Sequence, residues 1–359
     1  MKANILLEDG TILTGQAFGD NKTVFGEIVF NTSMTGYQET LTDPSYAGQI
    51  LVMAYPLIGN YGVNIEDVES DRIQVGGLIV KEYSRYESNW KSQGKLSNYL
   101  KNHGVFAISG IDTRMLTKKI RNQGVMKCVL TTKEITQDLK GQLEKYTPPN
   151  NLVANISTKE IKEVKGEGKH IGIVDLGLKK GMVKQVQNMG CSVTIFPWDI
   201  TYTKLLSYNL DALLFSNGPG NPKDIKNTIY TAEKLIGKLP LFGICLGNQV
   251  LALALGGDTY KMKFGHRGAN YPVLDLRTNK VMITSQSHGY TVSDKDNKEL
   301  EITHINVNDF TVEGFCNNKL NIHAVQFQPE AGPGPNDASI LFREWINLLD
   351  KGEEDAQEY

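Results

Sequence analysis

Pro240-Leu241-Phe242-Gly243-Ile244-Cys245-Leu246-Gly247-Asn248-Gln249 runs from apolar strand-type residues into a glycine-flanked cysteine and then into a helical stretch. The pattern is G-x-nucleophile-x-G. Glycines on both sides permit a tight strand-to-helix turn that thrusts the middle side chain into a cleft. A helix N-terminus favours thiolate over thiol at that point. It also offers backbone N–H groups to a developing oxyanion. A turn of this kind belongs to a sheet whose strands feed helices, so the flanking sequence must alternate strand and helix.

It does. Ile171–Asp175, Ser192–Phe196, Ala212–Ser216 and Leu241–Ile244 read as strands. Helices are expected over Met182–Met189, Ile225–Ile236 and Gln249–Leu255, the last stopping at Gly256-Gly257. This rhythm implies an α/β, mostly parallel three-layer sheet with helices on both faces. Ligands of such sheets bind at the C-terminal strand ends. One strand end carries Cys245. Another carries Ser216-Asn217-Gly218-Pro219-Gly220-Asn221-Pro222, a rigid Gly/Pro loop with exposed amides. Two glycine-rich turns at adjacent strand ends point to a binding cleft.

The first part of the chain is different. Ala3–Leu7, Thr11–Thr14 and Glu27–Asn31 read as short strands, with Glu8-Asp9-Gly10 as a hairpin turn. Ile50–Tyr55 and Val75–Val80 are further strands. Asp112–Arg121 reads as a helix, acidic at its start and basic at its end. A smaller α+β domain over 1–150, ending at Pro148-Pro149-Asn150, is expected, then a Lys/Glu-rich linker over 151–168, then the α/β domain over 169–359. The acidic tail 351–359 is expected to fray.

The chain has 359 residues, 40% hydrophobic and 22% charged, with a net charge of −2. That composition suits a globular protein with substantial cores. No basic excess is available to hold a phosphate backbone, so nucleic acid is excluded as a partner class. The longest apolar runs fall far short of the ~20 residues that span a bilayer. The N-terminus meets Glu8-Asp9 before a signal-peptide core could form, and a cytoplasmic location is expected. Cys128, Cys191, Cys245 and Cys316 are widely spaced, with no CxxC pair, so neither a zinc framework nor disulfides are expected. Cys128, Cys191 and Cys316 read as small buried hydrophobes.

The elbow and the Gly218–Gly220 loop resemble those of a class I, triad-type glutamine amidotransferase. Phe30–Thr40, Leu41–Tyr46, Tyr55–Gly62 and Gly110–Arg114 resemble the N-terminal domain of carbamoyl-phosphate synthase small chains, which other amidotransferases lack. Lys261–Asn270, Ser285–Tyr290 and Pro329–Pro335 fit the same family, so the resemblance covers nearly the whole chain. It implies hydrolysis of glutamine to glutamate and ammonia, with ammonia passed to a large synthetase subunit. That partner would carry the ATP and magnesium chemistry, for arginine or pyrimidine synthesis, and no metal or organic cofactor is implied in this chain. Cys245 matches the nucleophile that forms a γ-glutamyl thioester. Leu246, Gly218 and Gly220 match the oxyanion hole. Ser45, Gln249, Ser287, Gly289 and Tyr290 match positions that hold glutamine, Ser45 from the other domain. Glu330 matches the carboxylate that orients the base.

The base itself should be a histidine two residues before Glu330, where this chain has Gln328. A neutral amide cannot take the thiol proton or deprotonate water. Asn248 is a second departure, in place of the family's usual histidine before Gln249. Strand alternation sets Gln326 and Gln328 on one face and His323 on the other, which removes His323 as a stand-in. His288 matches a positioning residue. His103, His170, His266 and His304 read as surface or structural residues. The expectation is a slow glutaminase in which thioester hydrolysis suffers most. The competing readings are a glutamine-binding assembly subunit without hydrolysis and a general α/β cysteine hydrolase, the latter disfavoured by the N-terminal motifs.

Overall fold

The structure is a computed structural model that describes residues 1–295 and 299–357, with side chains described to residue 350. It divides into two compact units, Met1–Pro149 and Asn150–Tyr359.

The first unit is built on a closed barrel. Its strands are Lys2–Leu7 (β1), Ile12–Gly19 (β2), Val24–Asn31 (β3), Gln49–Met53 (β4), Gly77–Ile79 (β5), Phe106–Ser109 (β6) and Met126–Thr131 (β7). The order around the barrel is β1-β2-β6-β5-β4-β3-β7, with parallel pairing from β3 through β6. Closure leaves no unpaired strand edge. The helix expected over Asp112–Arg121 is Thr113–Gln123 (α1). Asp112 caps it by accepting from the Met115 amide at 2.9 Å. Barrel closure was not foreseen, because β6 and β7 are short apolar runs with no distinguishing period.

The second unit holds a ten-stranded sheet among the described residues. Its elements are Lys162–Val164 (β8), His170–Asp175 (β9), Lys180–Gln187 (α2), Ser192–Pro197 (β10), Ala212–Phe215 (β11), Lys226–Leu235 (α3), Leu241–Ile244 (β12) and Leu246–Ala254 (α4). There follow Thr259–Asp275 (β13), Lys280–Val292 (β14), Glu301–Asn306 (β15), Val312–Asn317 (β16), Ile322–Val325 (β17) and Ile340–Gln357 (α5). The strand order is β8-β10-β9-β11-β12-β17-β16-β15-β13-β14.

The five central strands from β10 to β17 are parallel, as the βαβ rhythm requires. Beyond β17 the sheet continues antiparallel. The strand rhythm did not reveal that extension. The long β13–β14 hairpin carries bulges between Lys261 and His266 and between Gly268 and Tyr271, which break its alternation.

Residues 151–168 are not a free linker. They hold a short helix, Leu152–Ile156, and β8, which pairs antiparallel with β10 as an edge strand. The Lys/Glu composition that suggested a linker is what an exposed edge strand also carries.

Alternate residues of each central strand enter opposite cores. Leu241 packs with Val250 and Leu251 of α4 and Leu235 of α3. Phe242 and Ile244 face Leu341, Phe342 and Trp345 of α5 and Met182 of α2. Phe242 and Trp345 stack with centroids 4.9 Å apart. Helices on both faces make the three layers. Each fully buried Leu, Ile or Phe contributes about 1.5–3 kcal/mol, so the layer around β12 easily tolerates a strained turn at its end.

Candidate active site

Cys245 is that turn. It stands between β12 and α4 with φ 55 and ψ −103, outside the regions an ordinary side chain prefers. Such a conformation costs on the order of 1–3 kcal/mol. The Cys245 amide donates to Val325 O of β17 at 2.9 Å, which fixes the turn to the neighbouring strand. The flanking glycines are required by contact. A Cβ on Gly243 would lie 2.7 Å from Gly247 O, and one on Gly247 would lie 2.0 Å from Phe215 O. Gly247 and Asn248 form the first turn of α4, three residues earlier than the sequence suggested, because this glycine serves packing and does not end a helix.

The Gly218–Gly220 loop is brought against the elbow. The Gly247 amide donates to Ser216 O at 3.0 Å. A Cβ on Gly218 would meet Leu176 O at 2.0 Å and Leu246 Cδ2 at 2.8 Å, so Gly218 and Leu246 lie side by side. Gly220 has φ +91, open to glycine alone at no cost. Leu246 and Gly218 therefore converge, at the end of β11 and the start of α4, with Gly220 two residues further along the same loop.

The end of β9 contributes a residue that the sequence did not single out. Asp175 accepts from the amides of Gly177 and Leu178 at 2.9 and 2.8 Å, turning the chain so that Lys179 points inward. Lys179 is 0% exposed. Its amide donates to Asn217 Oδ1 at 3.3 Å. Its ammonium lies 3.2 Å from Glu330 Oε1, donates to Gln328 Oε1 at 3.3 Å and also donates to Ala331 O. Lys179-Lys180 reads as a solvated pair. Only burial distinguishes the first lysine from the second.

Gln328 sits inside this network. Its amide donates to Ser285 O at 2.9 Å, holding it beside β14. Its side chain donates through Nε2 to Ser287 Oγ at 2.7 Å and accepts from Lys179 through Oε1. Gln328, Ser287, Glu330 and Lys179 are thus one buried cluster. Both of these side-chain bonds suit an amide, and neither moves a proton.

Gln249 and Tyr290 also meet, Gln249 Nε2 donating to Tyr290 O at 2.8 Å. Gln249 and Asn248 both donate to Gln326 Oε1, at 3.0 and 3.2 Å. Gln326 and Gln328 thus reach different partners, since β17 ends at Val325 and strict alternation ends with it. Gly289 lies close to Arg267, whose Nη2 a Cβ there would meet at 3.0 Å. Ser45 belongs to the first unit. It is buried in the turn Pro44–Tyr46, its amide donating to Asp43 Oδ1 at 2.8 Å.

The histidines sort as follows. His323 faces Phe242, away from Gln326. Burial pushes its pKa down to about 4. His304 packs edge-on against Phe327, and burial likewise lowers it to about 4. His170 bonds Asn209 O and Thr194 at the start of β9. His288 is engaged on both ring nitrogens, by Tyr290 O at 2.8 Å and Gln286 Oε1 at 3.1 Å. Burial, and then the charge of His266, hold His288 neutral well below the usual imidazole range.

His304 and His323 predict acid sensitivity. Both have folded pKa values below the unfolded value of about 6.5, so the unfolded state binds more protons. Their stability contribution is present above about pH 6.5 and is lost as pH falls through about 4. Urea unfolding across this window should show the loss. A His304→Gln variant should recover on the order of 2–3 kcal/mol of its pH dependence. An unchanged slope in that variant would assign the effect elsewhere.

Residues 5–130 match the family model for the carbamoyl-phosphate synthase small chain, CPSase domain, and residues 172–348 match that for class-I glutamine amidotransferase. A carbamoyl phosphate synthase small chain of Clostridium acetobutylicum is 47% identical over 351 residues, covering 97% of this chain and 100% of its own length. That of Clostridium perfringens is 48% identical over 347 residues, 96% and 99% of the two chains. The pyrimidine-specific small chain of Bacillus subtilis is 46% identical over 360 residues, 99% and 98%.

Proposed function

Because the chain belongs to the carbamoyl-phosphate synthase small-chain family, we propose that Cys245 is the nucleophile through which it hydrolyses glutamine and supplies ammonia to a large synthetase subunit. The single observation that carries the role of Cys245 is its strained backbone at the β12–α4 turn. Sulfur attacks the side-chain carboxamide carbon. The resulting oxyanion is received by the amides of Leu246 and the Gly218–Gly220 loop. Once the proton given up by the thiol has reached the departing nitrogen through solvent, collapse expels ammonia and leaves a γ-glutamyl thioester, which water then cleaves to glutamate. Gln249, Ser287, Gly289 and Tyr290 hold the amino-acid end of glutamine.

Gln328 occupies the place of the base and Glu330 the place of its orienting carboxylate. The amide oxygen of Gln328 can orient a water by accepting its hydrogen bond. The proton must leave to solvent, which slows thioester cleavage more than thioester formation. A subunit that only docks is the less favoured reading, since the elbow, the amide loop and Glu330 are all retained. Glutamine and the large subunit are the partners. No helix among the described residues is long and apolar enough to cross a membrane. Four free, buried cysteines fit the cytoplasmic location we assign.

The test is carbamoyl phosphate synthesis with the large subunit present. Cys245→Ala should abolish the glutamine-dependent rate and leave the ammonia-dependent rate unchanged. Glutamine-dependent synthesis that survives the substitution would remove Cys245 from the mechanism.

A further inference from the structure

Beside the glutamine-binding segment, β13 to β16 bring together three groups to which the steps above assign no chemistry. His266 and His288 are register partners on β13 and β14. Their rings meet edge to face, centroids 5.0 Å apart. Glu313 of β16 completes the group. One ligand atom from each of the three lies within 4.8 Å of the others, and all three residues are buried. We propose that His266, His288 and Glu313 form a binding site for a divalent transition-metal ion of the zinc class.

The hydrogen bonds around the two rings have the form that metal sites use. A ligating histidine donates its second N–H to a carboxylate or a backbone carbonyl, which fixes the ring and its tautomer. His266 Nε2 is bonded to Asp309 Oδ2 at 2.8 Å. His288 Nδ1 faces Tyr290 O at 2.8 Å, and a carbonyl can only accept, so Nδ1 carries the proton. His288 Nε2 then stands 3.1 Å from Gln286 Oε1. A shared cation fits that separation, because two ligands of one tetrahedral ion stand about 3.3 Å apart. The contact between His266 Nδ1 and Glu313 Oε1, at 3.2 Å, has the same length. Gln286 Oε1 is the natural fourth ligand.

Glu313 is the independent observation. It is 0% exposed, and its Oε2 has no hydrogen-bond partner among the described residues. A buried carboxylate oxygen left unsatisfied is costly, and a cation satisfies it. Imidazole nitrogen with carboxylate oxygen suits zinc, cobalt or nickel better than magnesium or calcium. The ion would join the hairpin bearing Ser287–Tyr290 to β16. Its competitor is a proton on His266. Burial would lower the pKa of His266, but the bonds to Asp309 and Glu313 outweigh it and carry it to about 9. Arg267 adds a further positive charge nearby.

The test uses the full chain, stripped with a chelator and titrated with Co²⁺. One equivalent should bind with visible d–d absorption of a nitrogen/oxygen site, and Zn²⁺ should displace it. Glu313→Gln should weaken Co²⁺ binding by at least about 100-fold, and Asp309→Asn by about 10–100-fold. Thermal unfolding of the metal-free variants guards against simple misfolding, and the exposed side of Asp309 makes that variant the safer one. Cys245→Ser should leave the Co²⁺ spectrum unchanged. Absence of stoichiometric binding would assign the cluster to the His266 proton alone. A sulfur-to-cobalt charge-transfer band, or binding unaffected by Glu313→Gln and Asp309→Asn, would overturn the site equally.

Discussion

Gln328→His raises the rate of glutamine hydrolysis by about 10²–10⁴-fold, the usual worth of a positioned general base. Gln328 Nε2 donates to Ser287 and its Oε1 accepts from Lys179. Neither atom can accept a proton at neutral pH. An imidazole in that place can, and Glu330 two residues on is available to orient it. The gain should fall mainly on thioester hydrolysis. A thiolate attacks a carboxamide unaided and the departing nitrogen can take its proton from solvent, but water does not attack a thioester readily without losing a proton. In pre-steady-state experiments this chain should therefore release a burst of ammonia and then turn over slowly, and the histidine variant should lose the burst. The measurement is glutaminase activity with the large subunit present. Equal and high rates for the two proteins would mean that another group already serves as base.

Lys179→Met produces the largest loss of stability expected at this site. The Lys179 ammonium and the Glu330 carboxylate lie 3.2 Å apart with both side chains 0% exposed. Removing one member of a buried ion pair costs about 3–5 kcal/mol, because the remaining charge keeps its desolvation penalty and loses its partner. The same substitution frees Ala331 O and Gln328 Oε1 from their donor. Denaturant midpoints should fall accordingly, and glutamine turnover should fall with them, as Gln328 and Glu330 lose their anchor. A double variant, Lys179→Met with Glu330→Gln, should recover part of the stability and none of the activity. A loss below about 1 kcal/mol for Lys179→Met would mark the pair as screened by water, like a surface salt bridge.

Lys179 and Gln328 differ in how openly the sequence presents them. Gln328 stands out because the family resemblance implies a histidine two residues before Glu330. Lys179 shows no such mark, since nothing local separates a buried lysine from the solvated Lys180 beside it. The antiparallel half of the large sheet was hidden for a related reason. Its long hairpin is interrupted by bulges and a glycine at φ +69, and these destroy the period-two pattern by which strands are read. The edge strand Lys162–Val164 has the composition of a linker, because solvent-facing edges and linkers are selected for the same polarity.

Local chemistry along the chain was enough to establish the parallel βαβ core, the glycine-flanked cysteine, the Gly/Pro loop and the capped helix after Asp112. Each of these depends on residues within a turn or two of one another: glycine where a Cβ would collide, alternation where two faces are buried, an acidic cap where amides lack partners. Long-range pairing decided the rest. Closure of the first unit's barrel joins β1 to β7 across more than a hundred residues. The meeting of Lys179 with Glu330 spans two separate strand ends. The His266, His288 and Glu313 cluster is assembled by strands from one end of the sheet. Contacts of this kind arise from which strand lies beside which, and pairing energy is shared over whole strands and leaves no signature in any short segment.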